Sequence, residues 1–191
     1  FDIFRFSEEG RIMEHWDSMQ WSPFPAEFNE IGLVEVAPWW PEGTYSRLEE
    51  PLCTSPMMEG ETEIRDLDKT QQNKEIARQF VQDVLMDKRF DEAEKYLADN
   101  MTHHVCYMHD GKNGYLEGIR TMKQTQGIDY IEPHRAVAEG NFVGIQSQIN
   151  YRGRVTSVVD LFRLEDGKIA EVWECLFESV PETAAHQNTL F

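Results

Sequence analysis

Two carboxylates near the C-terminal end of the chain have a spacing that is suited to acid/base chemistry. Residues 158–174 form two apolar runs around an Asp-Gly turn, which predicts a β-hairpin. A three-residue turn pairs Asp160 with Val172 and places Glu174 diagonally from Asp160 on the same face, beside Phe162. Two carboxylates on an apolar face repel each other and lose hydration, which raises one pKa toward neutrality. General acid/base catalysis on a C–H bond next to a carbonyl uses such a pair.

The structural alternative is that these two acids carry no chemistry. Asp160 would then pair with an arginine such as Arg163 of a neighbouring strand or chain, and Glu174 would lie exposed at a rim. Both interpretations stay open at the level of sequence.

The start of the chain repeats the hairpin. Residues 1–17 and 159–174 share Asp-aliphatic-Phe-Arg-apolar, an acidic turn with Gly, a basic residue, Ile and Glu-x-Trp-acid. A four-residue turn in the first copy pairs Asp2 with His15 and places Asp17 diagonally on the same face. We therefore expect residues 1–20 to be the last hairpin of a truncated first domain. Its histidine, a ready proton shuttle, makes it the more complete acid/base set.

His104 is a further candidate catalytic residue. If residues 101–108 form a strand, His104 points into the cavity as a base or donor together with Cys106; the alternative is a histidine satisfied by backbone groups. The neighbouring histidines face alternate sides of that strand, so we predict no metal site. Candidate ligand-binding residues are Phe162, Tyr107, Gln146 and Gln148, although the two glutamines lie equally well on the outer, dimer-forming face of the sheet.

The elements that position these residues follow from hydrophobic periodicity. Helical spacing begins at Thr70, a short second helix carries Phe90, Ala93 and Leu97, and a third helix covers about 113–124. Four strands follow at about 130–139, 142–151, 154–164 and 168–178. This order predicts an α+β domain with helices on one face of a curved antiparallel sheet; the bounds of this domain, 62–191, come from the family resemblance described below. The Pro- and Trp-rich residues 21–61 form an irregular connector.

Composition excludes several classes of partner. The chain has 35 acidic and 18 basic side chains, a net charge of −17, which disfavours nucleic acid and anionic membranes. Its apolar runs are too short to span a bilayer. Three widely spaced cysteines indicate reduced thiols in a cytoplasmic setting. The sequence contains no GxGxxG, P-loop or CxxC motif, so we expect no cofactor.

Several motifs together resemble the SnoaL-like branch of the nuclear transport factor 2 superfamily. They are AEGNFVGIQSQ at 138–148, VVDLFRLEDGKIAEVWE at 158–174 and HQNTLF at 186–191. The resemblance implies a cone-shaped α+β fold whose sheets pair as dimers or as tandem domains. In polyketide cyclases of this family the acid/base pair corresponds to Asp160 and Glu174. The same fold also carries isomerases, epoxide hydrolases and non-catalytic modules.

The sequence is compatible with two functions of different class. The first is a cofactor-independent acid/base enzyme (cyclase, isomerase or hydrolase) acting on a small, mostly apolar substrate. The alternative is a non-catalytic module of the same fold that binds a small molecule or dimerises. A homodimer or an inter-domain pairing through the sheet is expected in either case.

Overall fold

The computed structural model describes residues 1–18, 54, 59–105, 108–151, 153–177 and 191. The strands within these ranges are β1 (Asp2–Phe6), β2 (Ile12–Asp17), β3 (Leu97–His103), β4 (Ile128–Glu139), β5 (Phe142–Tyr151), β6 (Arg154–Glu165) and β7 (Lys168–Phe177). β1 and β2 form a two-stranded sheet, and the others form a five-stranded sheet in the order β3-β7-β6-β5-β4. The α+β class predicted from the sequence is confirmed.

The helices precede or interrupt the strands as expected. Helix α1 (Thr70–Phe80) follows a 3-10 turn at Leu67–Lys69 and continues as a π-helical segment, Val81–Met86. A 3-10 helix covers Phe90–Lys95, and helix α2 covers Gly111–Gln126. The helix predicted from Thr70 is confirmed. Within the described ranges, no helix combines the length and the apolar character needed to cross a bilayer.

The edge strand β3 differs from the prediction of a strand at 101–108. It runs over Leu97–His103 and lies parallel to β7, with Leu97 opposite Ile169. Leu97 therefore belongs to the strand rather than to the preceding short helix. The reason is packing, because Leu97, Met101 and His103 are buried on one side of the strand. After His103 the chain turns, and Val105 N–H donates to His103 Nδ1.

The register of the β6–β7 hairpin also differs from the prediction. Asp166 and Gly167 both have positive φ, 50° and 76°, as a two-residue type I′ turn requires. A bulge at Ala170 then shifts the pairing by one more residue. Asp160 therefore lies directly opposite Glu174, and the predicted pairing of Asp160 with Val172 is wrong. The prediction that both acids share one face is confirmed.

The β1–β2 hairpin has the same pairing pattern. Asp2 lies opposite Asp17 and Phe4 opposite His15, with a bulge at Met13. The predicted pairing of Asp2 with His15 is therefore wrong by two positions. Both acids and the histidine do share one face, as expected.

The main core lies between the helices and one face of the five-stranded sheet, which we call the inner face. Ala77, Phe80, Val81 and Val84 of the helical layer are fully buried there. Phe80 meets Phe162 of β6 edge-on, with ring centroids 5.7 Å apart. This packing closes the inner face at the turn end of the β6–β7 hairpin.

The β4–β5 turn anchors the start of α1. Asn73 Nδ2 donates to the carbonyl of Gly140, whose N–H donates to Thr70 Oγ1. Gly140 has φ of 57°, and a Cβ there would come within 2.0 Å of the Arg65 carbonyl oxygen. A side chain at position 140 would therefore push the segment before α1 away from the sheet.

The opposite, outer face of the sheet carries the β1–β2 hairpin. The Arg135 guanidinium lies 3.7 Å from the ring centroid of Trp16. Ser18 contacts Cys175 of β7 through two hydrogen bonds. The first hairpin thus packs on a face of the larger sheet rather than extending one of its edges.

Candidate active site

Two opposed carboxylates form the centre of the candidate site. Asp160 of β6 is fully buried, whereas Glu174 of β7 is partly exposed, and both lie on the inner face. Burial raises the pKa of Asp160 well above its usual value, and the negative charge of Glu174 raises it further. A hydrogen bond from Tyr130 lowers the same pKa but does not outweigh burial. These shifts favour the protonated form of Asp160.

Tyr130 of β4 brings a hydroxyl to this pair. Its Oη donates toward the Asp160 carboxyl, 3.1 Å from Oδ2 and 3.3 Å from Oδ1. Burial raises the pKa of Tyr130 well above 10.0, and the charges of Asp160 and Glu174 raise it further. The phenol consequently keeps its proton and acts as a hydrogen-bond donor next to the two acids.

Tyr115 of α2 lies near enough to the pair to be affected by its charges. It is almost completely buried, and burial followed by the charges of Asp160 and Glu174 raises its pKa. Its ring lies 5.6 Å from that of His103, centroid to centroid. The His103 ring has partners on both nitrogens, since Nε2 donates to the His109 carbonyl and Nδ1 accepts from Val105. His103 therefore acts as a packing residue in the site wall.

Ser147 adds a buried hydroxyl to the inner face. It lies on the inner face of β5, opposite Val158 and two residues from Ile145, the β5 partner of Asp160. Among the described residues, its Oγ is buried and has no hydrogen-bond partner. An unpaired buried hydroxyl costs free energy, so a ligand oxygen at this position would be stabilised.

The alternative in which Asp160 forms an ion pair has no support in the described part of the chain. No Lys, Arg or His of the described ranges lies within ion-pair distance of Asp160. Arg163 is on the outer face instead, where its Nε donates to Glu171 at 2.7 Å. Asp160 is thus a buried acid that lies directly opposite another acid.

The structure does not bring His104 to these acids. His104 lies on the outer side of the sheet, where its Nε2 donates to Glu171 at 2.8 Å and its ring stacks on Trp173 at 4.8 Å. The predicted orientation into the cavity is wrong, because His103 takes the core-facing position and the next residue, His104, faces the other way.

A backbone segment covers this outer cluster of His104, Glu171 and Trp173. Trp173 Nε1 donates to the Glu59 carbonyl at 2.8 Å. A Cβ on Gly60 would lie 2.4 Å from Trp173 and 2.5 Å from Glu171, so only glycine allows this close approach.

Substitution Glu171→Gln should destabilise the protein markedly. The carboxylate is buried and holds both Arg163 and His104. We expect the free energy of unfolding to decrease by about 3 kcal/mol. This value is near the lower end for breaking a buried ion pair, because Arg163 keeps Glu165 as a partner. Glu14→Gln is the matched control, because Glu14 forms the equivalent pair with Arg5 on the exposed hairpin. Urea unfolding measures the free energy of unfolding of both variants. Equal decreases in the two would mean that burial of the Glu171 ion pairs adds nothing to stability.

The predicted glutamine ligands lie on the outer face, as one of the two interpretations expected. Gln146 accepts a hydrogen bond from Arg135 and donates to Ser157. Gln148 accepts from His134 at 3.3 Å. These side chains are held on the side of the sheet opposite Asp160.

Of the two remaining candidate ligand-binding residues, the structure describes only Phe162. Phe162 lies on the inner face next to the pair but is fully buried against Phe80, so it forms the wall of the site. Tyr107 lies outside the described residues.

The predicted acid/base residues of the first hairpin, Asp2, His15 and Asp17, lie together on an exposed face. His15 Nε2 donates to Asp2 Oδ1 at 2.8 Å, and Asp17 lies opposite Asp2. The His15 ring stacks on Phe4 with centroids 4.5 Å apart. Asp2 and Asp17 are opposed as Asp160 and Glu174 are, but both acids of the first hairpin are exposed.

Sequence reasoning missed three residues of the site, Tyr130, Tyr115 and Ser147. A signal existed for Ser147, because it occupies an inward position of the alternating strand 142–151. Tyr130 stands at the same kind of position in β4, which a bulge shifts out of simple alternation. Tyr115 is spaced in the sequence like an ordinary apolar residue of a helix, so nothing in the sequence pointed to it as part of the site.

Comparison with known proteins agrees with this architecture. The SnoaL-like domain family matches residues 77–172. No curated protein matches the chain significantly. A "putative ketosteroid isomerase" from Kribbella flavida DSM 17836 is 17% identical with a TM-score of 0.51, covering 62% of this chain and 87% of that one.

Two further structures are similar over shorter parts of the chain. An LEH-like epoxide hydrolase of M. tuberculosis is 19% identical with a TM-score of 0.46, covering 56% of this chain and 84% of that one. A SnoaL-like polyketide cyclase from Agrobacterium tumefaciens strain C58 is 19% identical with a TM-score of 0.46, covering 55% and 90%. Because the family match spans about half of the chain, the protein belongs to the SnoaL-like domain family, with the nuclear transport factor 2-like fold.

Proposed function

We propose that the protein is a cofactor-independent acid/base enzyme of isomerase, cyclase or epoxide-hydrolase type. The observation that carries this proposal is the direct opposition of Asp160, buried with a raised pKa, and the more exposed Glu174. Opposed carboxyls in unequal environments divide the work, with one holding a proton and the other accepting one.

On a β,γ-unsaturated ketone, the Glu174 carboxylate takes the proton from the carbon between the carbonyl and the double bond, while Asp160 gives its proton to the carbonyl oxygen. The resulting dienol takes the proton back from Glu174 at the far end of the former double bond and returns the oxygen's proton to Asp160. The double bond is then conjugated with the carbonyl, and both carboxyls are back in their starting states. On an epoxide, Glu174 takes a proton from the attacking water while Asp160 protonates the oxygen whose C–O bond breaks.

The surroundings of the acids favour a small, mostly apolar substrate. Ile145, Val158 and Leu176 lie on the same face and supply apolar contact. The buried hydroxyl of Ser147 suits a second oxygen on the substrate. We therefore propose an oxygen-bearing hydrocarbon ring as the substrate class.

Hydrogen–deuterium exchange of a ketone in D₂O, together with an epoxide-opening assay, tests this proposal. Wild-type protein should replace the hydrogen next to the carbonyl of a small cyclic ketone by deuterium, or should open a cyclic epoxide. Glu174→Gln should slow whichever reaction occurs by about 10²–10⁴, the usual contribution of general acid/base catalysis. Glu165→Gln, a change at an exposed glutamate of the same hairpin, is the control and should match wild type. Equal rates for wild type and Glu174→Gln would exclude the mechanism.

The second candidate is a non-catalytic module that binds a small molecule. It is favoured by one observation, since Tyr130 already occupies the Asp160 carboxyl. Ketone binding seen by NMR shift, without exchange or ring opening, would support this module instead.

We also propose that β1–β2 is the last hairpin of another SnoaL-like unit. Its support is the identical pairing, with Asp2 opposite Asp17 as Asp160 is opposite Glu174, and a bulge at the equivalent position of each second strand. Two unrelated hairpins would not share both sequence and register.

A further inference from the structure

Ser147 carries a buried hydroxyl on the same face of the sheet as the acid pair. The residue is fully buried, and within the described ranges no group forms a hydrogen bond with its Oγ. Its inward neighbours along β5 are Ile145 and Ile149, and Val158 lies opposite it in β6. An alanine would fill the same space without the cost of an unpaired hydroxyl. Packing alone therefore does not account for a serine at this position.

The side chain of Tyr130 crosses β5 at the level of Ser147. Tyr130 stands on β4 opposite Ile149. Its hydroxyl reaches Asp160 of β6, which is opposite Ile145. Ser147 is the inward residue between these two isoleucines, so the phenol passes over its small side chain on the way to β6. The Asp160 carboxyl and the Ser147 hydroxyl therefore lie beneath the same tyrosine.

Tyr130 is held weakly in this position. Its hydroxyl is 3.1 Å and 3.3 Å from the two Asp160 oxygens, longer than the roughly 2.7–2.8 Å that is usual for O–H···O bonds. Tyr130 is also partly exposed, whereas Asp160 and Ser147 are fully buried. Rotation of the Tyr130 side chain toward solvent would uncover both groups and would break only this long hydrogen bond.

The two covered groups are separated by a distance that a carbon ring can span. Ser147 is opposite Val158 and is therefore diagonal to Asp160 across the β5–β6 pair. Diagonal neighbours on one face have Cβ atoms about 7–8 Å apart or somewhat less. Oxygens on adjacent ring carbons are too close together to meet both groups, whereas oxygens on opposite sides of a six-membered ring can. Glu174 of β7 lies on the far side of Asp160 from Ser147, so it meets the ring at the Asp160 end.

We propose, on the basis of the proposed function, that Asp160 and Ser147 are the two polar points of one binding site for a six-membered carbon ring with oxygens on opposite sides. The reacting oxygen lies at Asp160, the second oxygen lies at Ser147, and Ile145 and Val158 contact the ring carbons. Tyr130 is the lid of this site and moves aside when the ring enters. The substrate class is thus a cyclic ketone with a hydroxyl or a second carbonyl across the ring.

Binding of three ketones to the whole chain tests the two-point site without turnover. The probes are cyclohexanone, 4-hydroxycyclohexanone and 2-hydroxycyclohexanone, and protein NMR titration gives the Kd of each. Wild type should bind 4-hydroxycyclohexanone about tenfold more tightly than cyclohexanone, near the upper end for one hydrogen bond. The 2-hydroxy compound, whose oxygens are adjacent, should bind no more tightly than cyclohexanone. A Kd for 4-hydroxycyclohexanone that is not the lowest of the three, or no binding at all, would overturn the site.

Ser147→Ala should abolish this preference and leave the Kd of cyclohexanone unchanged, because it removes only the hydroxyl. Ser157→Ala is the matched control, since it makes the same change on the outer face and should keep the preference. Circular dichroism confirms that both variants fold. A preference that survives Ser147→Ala would overturn the assignment of the second oxygen to Ser147.

Tyr130→Phe tests the lid. It keeps the ring but removes the hydrogen bond to Asp160, so the lid opens more readily. All three ketones should bind about two- to threefold more tightly, the lower end for one hydrogen bond, with the same order of preference. Unchanged or weaker binding would overturn the lid, because the phenol would then not compete with the ligand for Asp160.

The outcomes for binding and for catalysis are distinguishable. A preference for 4-hydroxycyclohexanone without deuterium exchange would support the two-point site and exclude the catalytic proposal. Exchange that depends on Glu174, without any preference among the ketones, would support the acid pair and overturn the two-point site.

Discussion

Asp160→Asn is expected to lose catalytic activity by about 10²–10⁴ and at the same time to become more stable than wild type at neutral pH. The amide cannot donate a proton to the substrate oxygen. It also cannot ionise, so folding at neutral pH no longer requires either uptake of a proton or burial of a charge next to Glu174. A change that removes function and adds stability would identify Asp160 as a residue kept for chemistry.

The pH dependence of stability follows from the direction in which the pKa of Asp160 is displaced. Burial and Glu174 raise this pKa above its usual value of 3.8, so the folded state binds more protons than the unfolded state between that value and the raised pKa. The contribution of Asp160 to the free energy of unfolding is fully present below pH 3.8 and decreases as the pH rises through that window. A tenfold difference in proton affinity between the folded and unfolded states corresponds to about 1.4 kcal/mol. Urea unfolding of wild type and Asp160→Asn between pH 4 and 9 measures the difference.

Asp91→Asn, a change at an exposed aspartate of the 3-10 helix, is the control and should keep the wild-type pH slope. Parallel stability curves for wild type and Asp160→Asn would mean that Asp160 ionises normally in the folded protein. The acid/base division proposed for the pair would then fail.

Phe162→Ala is expected to reduce the free energy of unfolding by about 3–5 kcal/mol, whereas Phe4→Ala should reduce it by less than about 1 kcal/mol. The two phenylalanines occupy the same register position in their hairpins. Only Phe162 is buried, packed edge-on against Phe80, so only its removal leaves a cavity. Thermal and urea unfolding of the two variants measure the contrast.

The Phe4→Ala variant also bears on the proposed second unit. In a polypeptide that carries the whole unit, the helical layer would cover Phe4 and its removal should become as costly as that of Phe162. A cost for Phe4→Ala that stays small in such a polypeptide would contradict the equivalence of the two hairpins.

Local pattern was sufficient to predict the main elements of the fold. The helical spacing from Thr70 and the alternating strands over 142–151 and 154–165 depend on burial of one side of each element, which sequence periodicity records directly. The repeat of the terminal hairpin was also readable, because it consists of residue identities in order. The two acids could be placed on one face for the same reason, since side chains alternate along a strand.

Strand register and side-chain partners could not be read in this way. Asp160 faces Glu174 directly because a type I′ turn and a bulge at Ala170 together set the register, and a bulge leaves no periodic signal. His104 faces Glu171 rather than the acids because packing against the core selects the side of β3 that carries His103. Tyr130 reaches Asp160 from a strand two places away in the sheet. The sequence by itself determined the family, the elements and the acidic pair; only the tertiary structure decided which groups meet that pair, because those contacts depend on packing between residues far apart in the chain.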